Sequence, residues 1–201
     1  MLRLSAPAIL LAARPHAETG SIVRLFTADA GVVAAYVAGG RGRRLRPIVL
    51  PGNRVAAEIT ARAESQLPFA RLELVDSRAP CLAEPLPAAA IAWATALTAS
   101  ALPERNAYPP LYEALDGLLT AICSAPSARA WLPALIQYER LLLRELGYGE
   151  ARLPLSDDAA GQLHLFARQG RAVAHYLLSD APGDAIAARE MLYARLQRMI
   201  A

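Results

Sequence analysis

The densest chemistry in this sequence lies in Gly39-Gly40-Arg41-Gly42-Arg43-Arg44-Leu45-Arg46-Pro47. Four guanidiniums fall within the six residues 41–46, and three glycines share the stretch. Arginine presents a planar fork of N–H donors that matches phosphate oxygens two at a time. Glycine lets the backbone approach closely and leaves its N–H groups accessible. Clustered like charges repel one another, and a polyanion relieves that repulsion. The plainer reading, a solvated charged loop with no partner, is the weaker one for that reason. The segment is expected to be a mobile loop that grips phosphate.

No other residues converge on a reaction. His16, His164 and His175 are the only histidines. His16 follows Pro15 in an expected turn. His164 and His175 fall on one expected helix, about 16 Å apart along it, too far to share a metal. Asp157-Asp158 reads as a helix cap, and Cys81 and Cys123 read as small packing residues. Two cysteines cannot form a four-thiolate zinc site. The 21 basic residues are all Arg, so chemistry that needs a lysine amine is excluded. No catalytic residue, metal ligand or cofactor site is expected.

The elements that must position the arginines follow from hydrophobic period. The chain has 201 residues, 55% of them hydrophobic and 19% charged, enough for one ordinary domain or two small ones. Residues 8–12, 21–27, 31–38, 55–62 and 70–75 read as short strands. In the last, Leu72 and Leu74 alternate with Arg71 and Glu73. Five short strands in under 80 residues suit a small closed barrel, and the Arg segment then follows strand three. Beyond Ala79-Pro80 the period becomes helical. Helices are expected over 88–100, from Pro109-Pro110, from Ser127 to Gly147, after Ser156-Asp157-Asp158, and after Pro182-Gly183-Asp184. The fold class is thus α+β: an N-terminal five-stranded OB-fold barrel over residues 1–80, then an all-α helical domain over 81–201. The uncharged stretch from Pro85 to Leu102 is short for a membrane span and reads as a buried helix. With no secretory pattern at the start, the cytoplasm, in association with the nucleoid, is the expected location and no membrane partner is expected.

Charge divides along the same boundary. Residues 1–80 carry 11 Arg against six acids (Glu18, Asp29, Glu58, Glu64, Glu73, Asp76), giving +5; residues 81–201 carry 10 Arg against 12 acids, giving −2. A basic barrel points to a polyanion partner. Only Phe26, Tyr36 and Phe69 are Phe, Tyr or Trp residues within the first 80, and Phe26 and Phe69 read as core. The barrel is therefore expected to hold the phosphate backbone by charge, with steep salt sensitivity and little base stacking.

Two blocks carry a family resemblance. Arg14-Pro15-His16-Ala17-Glu18-Thr19, Ile22-Val23-Arg24-Leu25-Phe26-Thr27, Gly31 and Val37-Ala38-Gly39-Gly40-Arg41 form the first. Tyr138-Glu139-Arg140-Leu141-Leu142-Leu143-Arg144-Glu145-Leu146-Gly147-Tyr148-Gly149 forms the second. In this order they resemble the RecO family of recombination mediators. The resemblance implies a non-enzymatic protein that binds single- and double-stranded DNA and anneals complementary strands. It also implies engagement of the acidic C-terminal tail of single-strand DNA-binding protein (SSB), and action with RecR to load RecA. By position Arg41, Arg43 and Arg44 match the DNA-contacting basic stretch; Arg24 and Arg46 are added from their types alone.

The sequence departs from the family in two places. Many members carry a cysteine-bearing zinc module after the Leu-Gly-Tyr-Gly turn; residues 149–157 here contain no Cys, so no zinc is expected. The paired Arg that some members place before the Tyr/Phe-Glu is Ile136-Gln137 here. Arg140 and Arg144 are the substitute candidates for the SSB tail, beside walls from Trp131 and Leu132; the alternative leaves both in solvent, paired with Glu139 or Glu145. Two other functional classes stay open: a protein-interaction adaptor whose barrel touches no nucleic acid, and an RNA-binding OB module.

Overall fold

A computed structural model describes residues 2–61, 63, 66–149, 155–179 and 183–200. The strands are β1 (Leu2–His16), β2 (Gly20–Thr27), β3 (Gly31–Val37), β4 (Arg54–Ala61) and β5 (Phe69–Asp76). They close into a barrel in the order β1-β2-β3-β5-β4, the OB-fold arrangement. Strict alternation builds the interior. In β4, Val55, Ala57, Ile59 and Ala61 are buried while Ala56, Glu58 and Thr60 are exposed. Leu10, Val23, Leu25, Val33, Ala35, Val37 and Leu72 join Val55, Ala57 and Ile59 in one core. Closure removes the free edges that an open five-stranded sheet would expose.

β1 is three times the length of the five-residue run expected for it, and the reason is its double pairing. Its first half pairs with β4, from Leu2↔Ala61 to Ile9↔Arg54. Its second half pairs with β2, from Ile9↔Phe26 to His16↔Gly20, with a bulge between Leu10 and Ala12. His16 therefore ends a strand rather than sitting in a turn. The barrel closes through a single parallel pair, Tyr36↔Phe69.

Six helices follow among the described residues: α1 (Ala79–Leu82), α2 (Pro85–Ala101), α3 (Pro109–Ser124), α4 (Ala128–Glu145), α5 (Ala159–Leu177) and α6 (Gly183–Ile200). The four-residue α1 is too short to show a period in sequence. Ser127 holds the N-cap position of α4 without a side-chain bond, whereas the Asp158 carboxylate accepts from the Gly161 N–H at the start of α5. α4 stops where the Tyr148 N–H reaches back to Leu143 O, at 2.8 Å. No helix among the described residues is long and apolar enough to cross a membrane.

The chain divides into two compact units. One comprises residues 1–80 with 102–112; the other comprises 81–101 with 113–201. Within the first, the segment 102–112 runs beside β3, where the Arg105 N–H donates to Val32 O at 2.9 Å. Tyr112 meets Phe26 edge-on at 5.6 Å, which buries Phe26 as expected. In the second unit Cys81 and Cys123 form a disulfide, with Cα atoms 5.5 Å apart. They are not the separate packing residues expected; 42 residues of sequence separate them, and no local pattern reveals that contact.

Candidate nucleic-acid interface

The Arg segment leaves β3 and folds into a cap on the barrel. Its local turns are hydrogen-bonded: Gly42 N to Gly39 O at 2.8 Å, Arg46 N to Gly42 O at 2.9 Å, and Val49 N to Leu45 O at 2.9 Å. Val49 joins the core, and Leu45 and Ile48 pack against it. Asn53 fixes the far end. Fully buried, it donates through Nδ2 to Pro47 O and Ile48 O, both at 3.0 Å, and accepts from the Arg78 N–H through Oδ1 at 2.8 Å. Gly40 fixes the near end by close approach, since a Cβ there would lie 2.8 Å from Ser21 Oγ. The expected mobile ribbon is thus built as a folded cap. Its apolar residues face the barrel and leave the intervening arginines outside.

Arg41, Arg43, Arg44 and Arg46 are all exposed. Arg41 is anchored to the turn between β1 and β2: its N–H donates to Thr19 O at 3.0 Å and its Nη1 to Glu18 O at 3.2 Å. Those acceptors are carbonyls, which leave the positive charge in place. No carboxylate among the described residues lies within ion-pair distance of any of the four. Arg24 differs. It is half-buried on the outside of β2, with Nη2 3.7 Å from Glu104 Oε1. The opposite side of the barrel is mixed in sign, because Glu58 and Arg71 are direct cross-strand partners there and Glu73 is exposed beside them.

Phe69 is 60% exposed, not core. Its neighbours Ala70 and Leu72 point inward, so strand alternation turns its ring outward. Its aromatic type suggests core, but its register on β5 decides the outcome.

In the helical unit, Arg144 is exposed and pairs with Glu145 at 3.3 Å. Arg140 is half-buried and donates through Nε to Gln169 Oε1 at 3.1 Å. Trp131 and Leu132 are buried, so they cannot wall a surface groove. Glu139 is also buried, not a surface partner for Arg140. Its carboxylate accepts from Trp93 Nε1 at 2.8 Å, Gln169 Nε2 at 2.6 Å and Arg189 Nη2 at 3.4 Å. Burial pushes its pKa above the usual carboxylate range, against the opposing pull of Arg189 and the two N–H donors. Arg189 lies over the Phe166 ring, 4.0 Å from its centroid. Beside Glu139, the Tyr138 hydroxyl contacts Thr98 Oγ1 at 2.6 Å, and burial raises its pKa also. Four α-helices, α2, α4, α5 and α6, therefore meet at one polar network. Helical spacing offered a signal for it, because residue 139 lies four after Leu135 and three before Leu142 on the apolar stripe.

The residues present do not fit a zinc centre. The two cysteines bond to each other, and no cluster of three or more His, Cys, Asp or Glu side chains forms among the described residues. Part of the segment where the family's zinc module would fall, residues 150–154, lies outside the described residues.

A closed OB barrel with a cationic cap, joined to a helical unit, defines an OB-fold protein of basic surface. Residues 1–78 match the family described as Recombination protein O N terminal, and residues 85–169 match Recombination protein O C terminal. The DNA repair protein RecO of Caulobacter vibrioides strain NA1000 / CB15N is 39% identical over 172 residues, covering 83% of this chain and 68% of that protein. The DNA repair protein RecO of Phenylobacterium zucineum is 40% identical over 154 residues, covering 76% and 61%. That of Rhodospirillum centenum is 42% identical over 143 residues, covering 71% and 56%. The chain belongs to the RecO family, a family of DNA repair and recombination proteins.

Proposed function

We propose that the protein is a non-enzymatic recombination mediator that binds single- and double-stranded DNA through the barrel cap and anneals complementary strands. The observation that carries this reading is the set Arg41, Arg43, Arg44 and Arg46: exposed, held on a folded support, and free of carboxylate neighbours among the described residues. Two DNA strands repel through their phosphates. A fixed guanidinium surface lowers that repulsion, while its contacts to the backbone leave the pairing edges of the bases free. Arg24 extends the surface only when DNA phosphate replaces Glu104. No step in this reading makes or breaks a bond.

In the same reading the protein acts with RecR and with the SSB C-terminal tail to help RecA load. Arg144 is the exposed cation for the tail's carboxylates, with Arg140 one turn away. Gel shift and strand annealing test the DNA function. Combined Arg41→Ala, Arg43→Ala and Arg44→Ala substitution is expected to weaken binding to both DNA forms and slow annealing. Unchanged binding at low and moderate salt would remove the cap from the interface.

A further inference from the structure

Phe69 does not stand alone on the barrel surface. Its ring centroid lies 5.4 Å from that of Tyr36 in an edge-on arrangement, and Tyr36 lies 5.8 Å from His16 in the same manner. Register explains the grouping. Arg14, Ile22, Tyr36 and Phe69 form one row across β1, β2, β3 and β5, through the pairs Arg14↔Ile22, Ile22↔Tyr36 and Tyr36↔Phe69. His16 and Gly20 are the next pair along on the same face, two positions on. Gly20 is what allows Tyr36 to lean toward His16: a Cβ there would sit 2.3 Å from the Tyr36 ring. The strip therefore depends on one missing methyl group. His16 and Phe69 are exposed, and Tyr36 is half-buried between them.

The strip is also next to cations. Exposed Arg14 begins its row. The turn that follows His16 carries the Glu18 and Thr19 carbonyls that anchor Arg41. Rings exposed beside guanidiniums on an OB barrel match the requirements of an unpaired nucleotide, whose base stacks on an aromatic face while its phosphate meets a cation. In a duplex the base faces are covered by their neighbours and offer nothing to such a strip.

We propose that His16, Tyr36 and Phe69 form a base-stacking strip that makes the barrel favour single-stranded over double-stranded DNA, with Phe69 as the principal stacking residue. This rests on the cap reading above, because the same strand would contact the cap through its phosphates. It replaces the expectation of a grip by charge alone.

The test uses Phe69→Ala and Phe69→Trp in the full chain, with fluorescence anisotropy on a short oligo-dT and on a duplex of equal length at one salt concentration. Phe69 is exposed, so both variants retain the core. Phe69→Ala is expected to lower oligo-dT affinity about tenfold, the scale of losing one stacked base. Duplex affinity is expected to stay within about twofold, and the salt slope to stay that of the parent, because no charge is removed. Phe69→Trp is expected to restore oligo-dT affinity and to show emission quenched by oligo-dT relative to the parent protein. Parental oligo-dT affinity for Phe69→Ala, or an equal loss on both DNA forms, would overturn the strip. The triple Ala variant of the cap separates the two readings: its failure would appear as an unchanged salt slope, whatever Phe69→Ala does.

Discussion

At the scale of single residues, the two kinds of charged side chain meet opposite fates. The cap arginines keep their charge in water, where a phosphate can reach it. Glu139 carries its carboxylate into the core, where Trp93, Gln169 and Arg189 satisfy it. Because burial raises its pKa in the folded state, its contribution to stability is complete below the unfolded value of about 4.3 and is lost as pH rises through the folded value. Glu139→Gln removes this titration and points an N–H₂ group at existing donors. We expect a loss of about 1–3 kcal/mol. The gap between parent and variant should be widest in acid and narrow toward neutral pH, as urea unfolding at several pH values would show. A gap that widens with pH would mean that ionised Glu139 is the better-stabilised form. Single-residue types in the sequence indicated the Arg cluster directly, but the partners of Glu139 come from three other helices and were not legible there.

At the scale of elements, the cap is held by a few bonds from a single buried side chain. Asn53 ties the loop after β3 to the start of β4 and to the chain leaving β5. Asn53→Ala should leave these backbone groups without partners and cost about 1–3 kcal/mol. It should also loosen the arginine segment. Limited trypsin digestion, which cuts after arginine, should then cleave at Arg41, Arg43 or Arg44 faster than in the parent protein. An equal cleavage rate would show that Asn53 does not hold the cap. Strand alternation made β4 and most of β5 readable from sequence, and helical period with Pro and Gly punctuation did the same for α2 to α6. The full length of β1 was hidden because it is shared between two partners. The outward turn of Phe69 was hidden because aromatic type suggests burial, while register, which decides it, depends on pairing with Tyr36. The return of residues 102–112 to the barrel is likewise a long-range contact with no local signature.

At the scale of the whole chain, charge and architecture agree. The first 80 residues hold the positive excess, and four of their exposed arginines share one cap. The central claim, that the cap neutralises DNA phosphates, is tested most directly by the salt dependence of single-strand affinity. A plot of log affinity against log salt concentration loses about 0.7 in slope for each phosphate contact removed from a single strand. The combined Arg41→Ala, Arg43→Ala and Arg44→Ala variant should therefore show a slope shallower by about 2. A slope equal to that of the parent protein would contradict the claim.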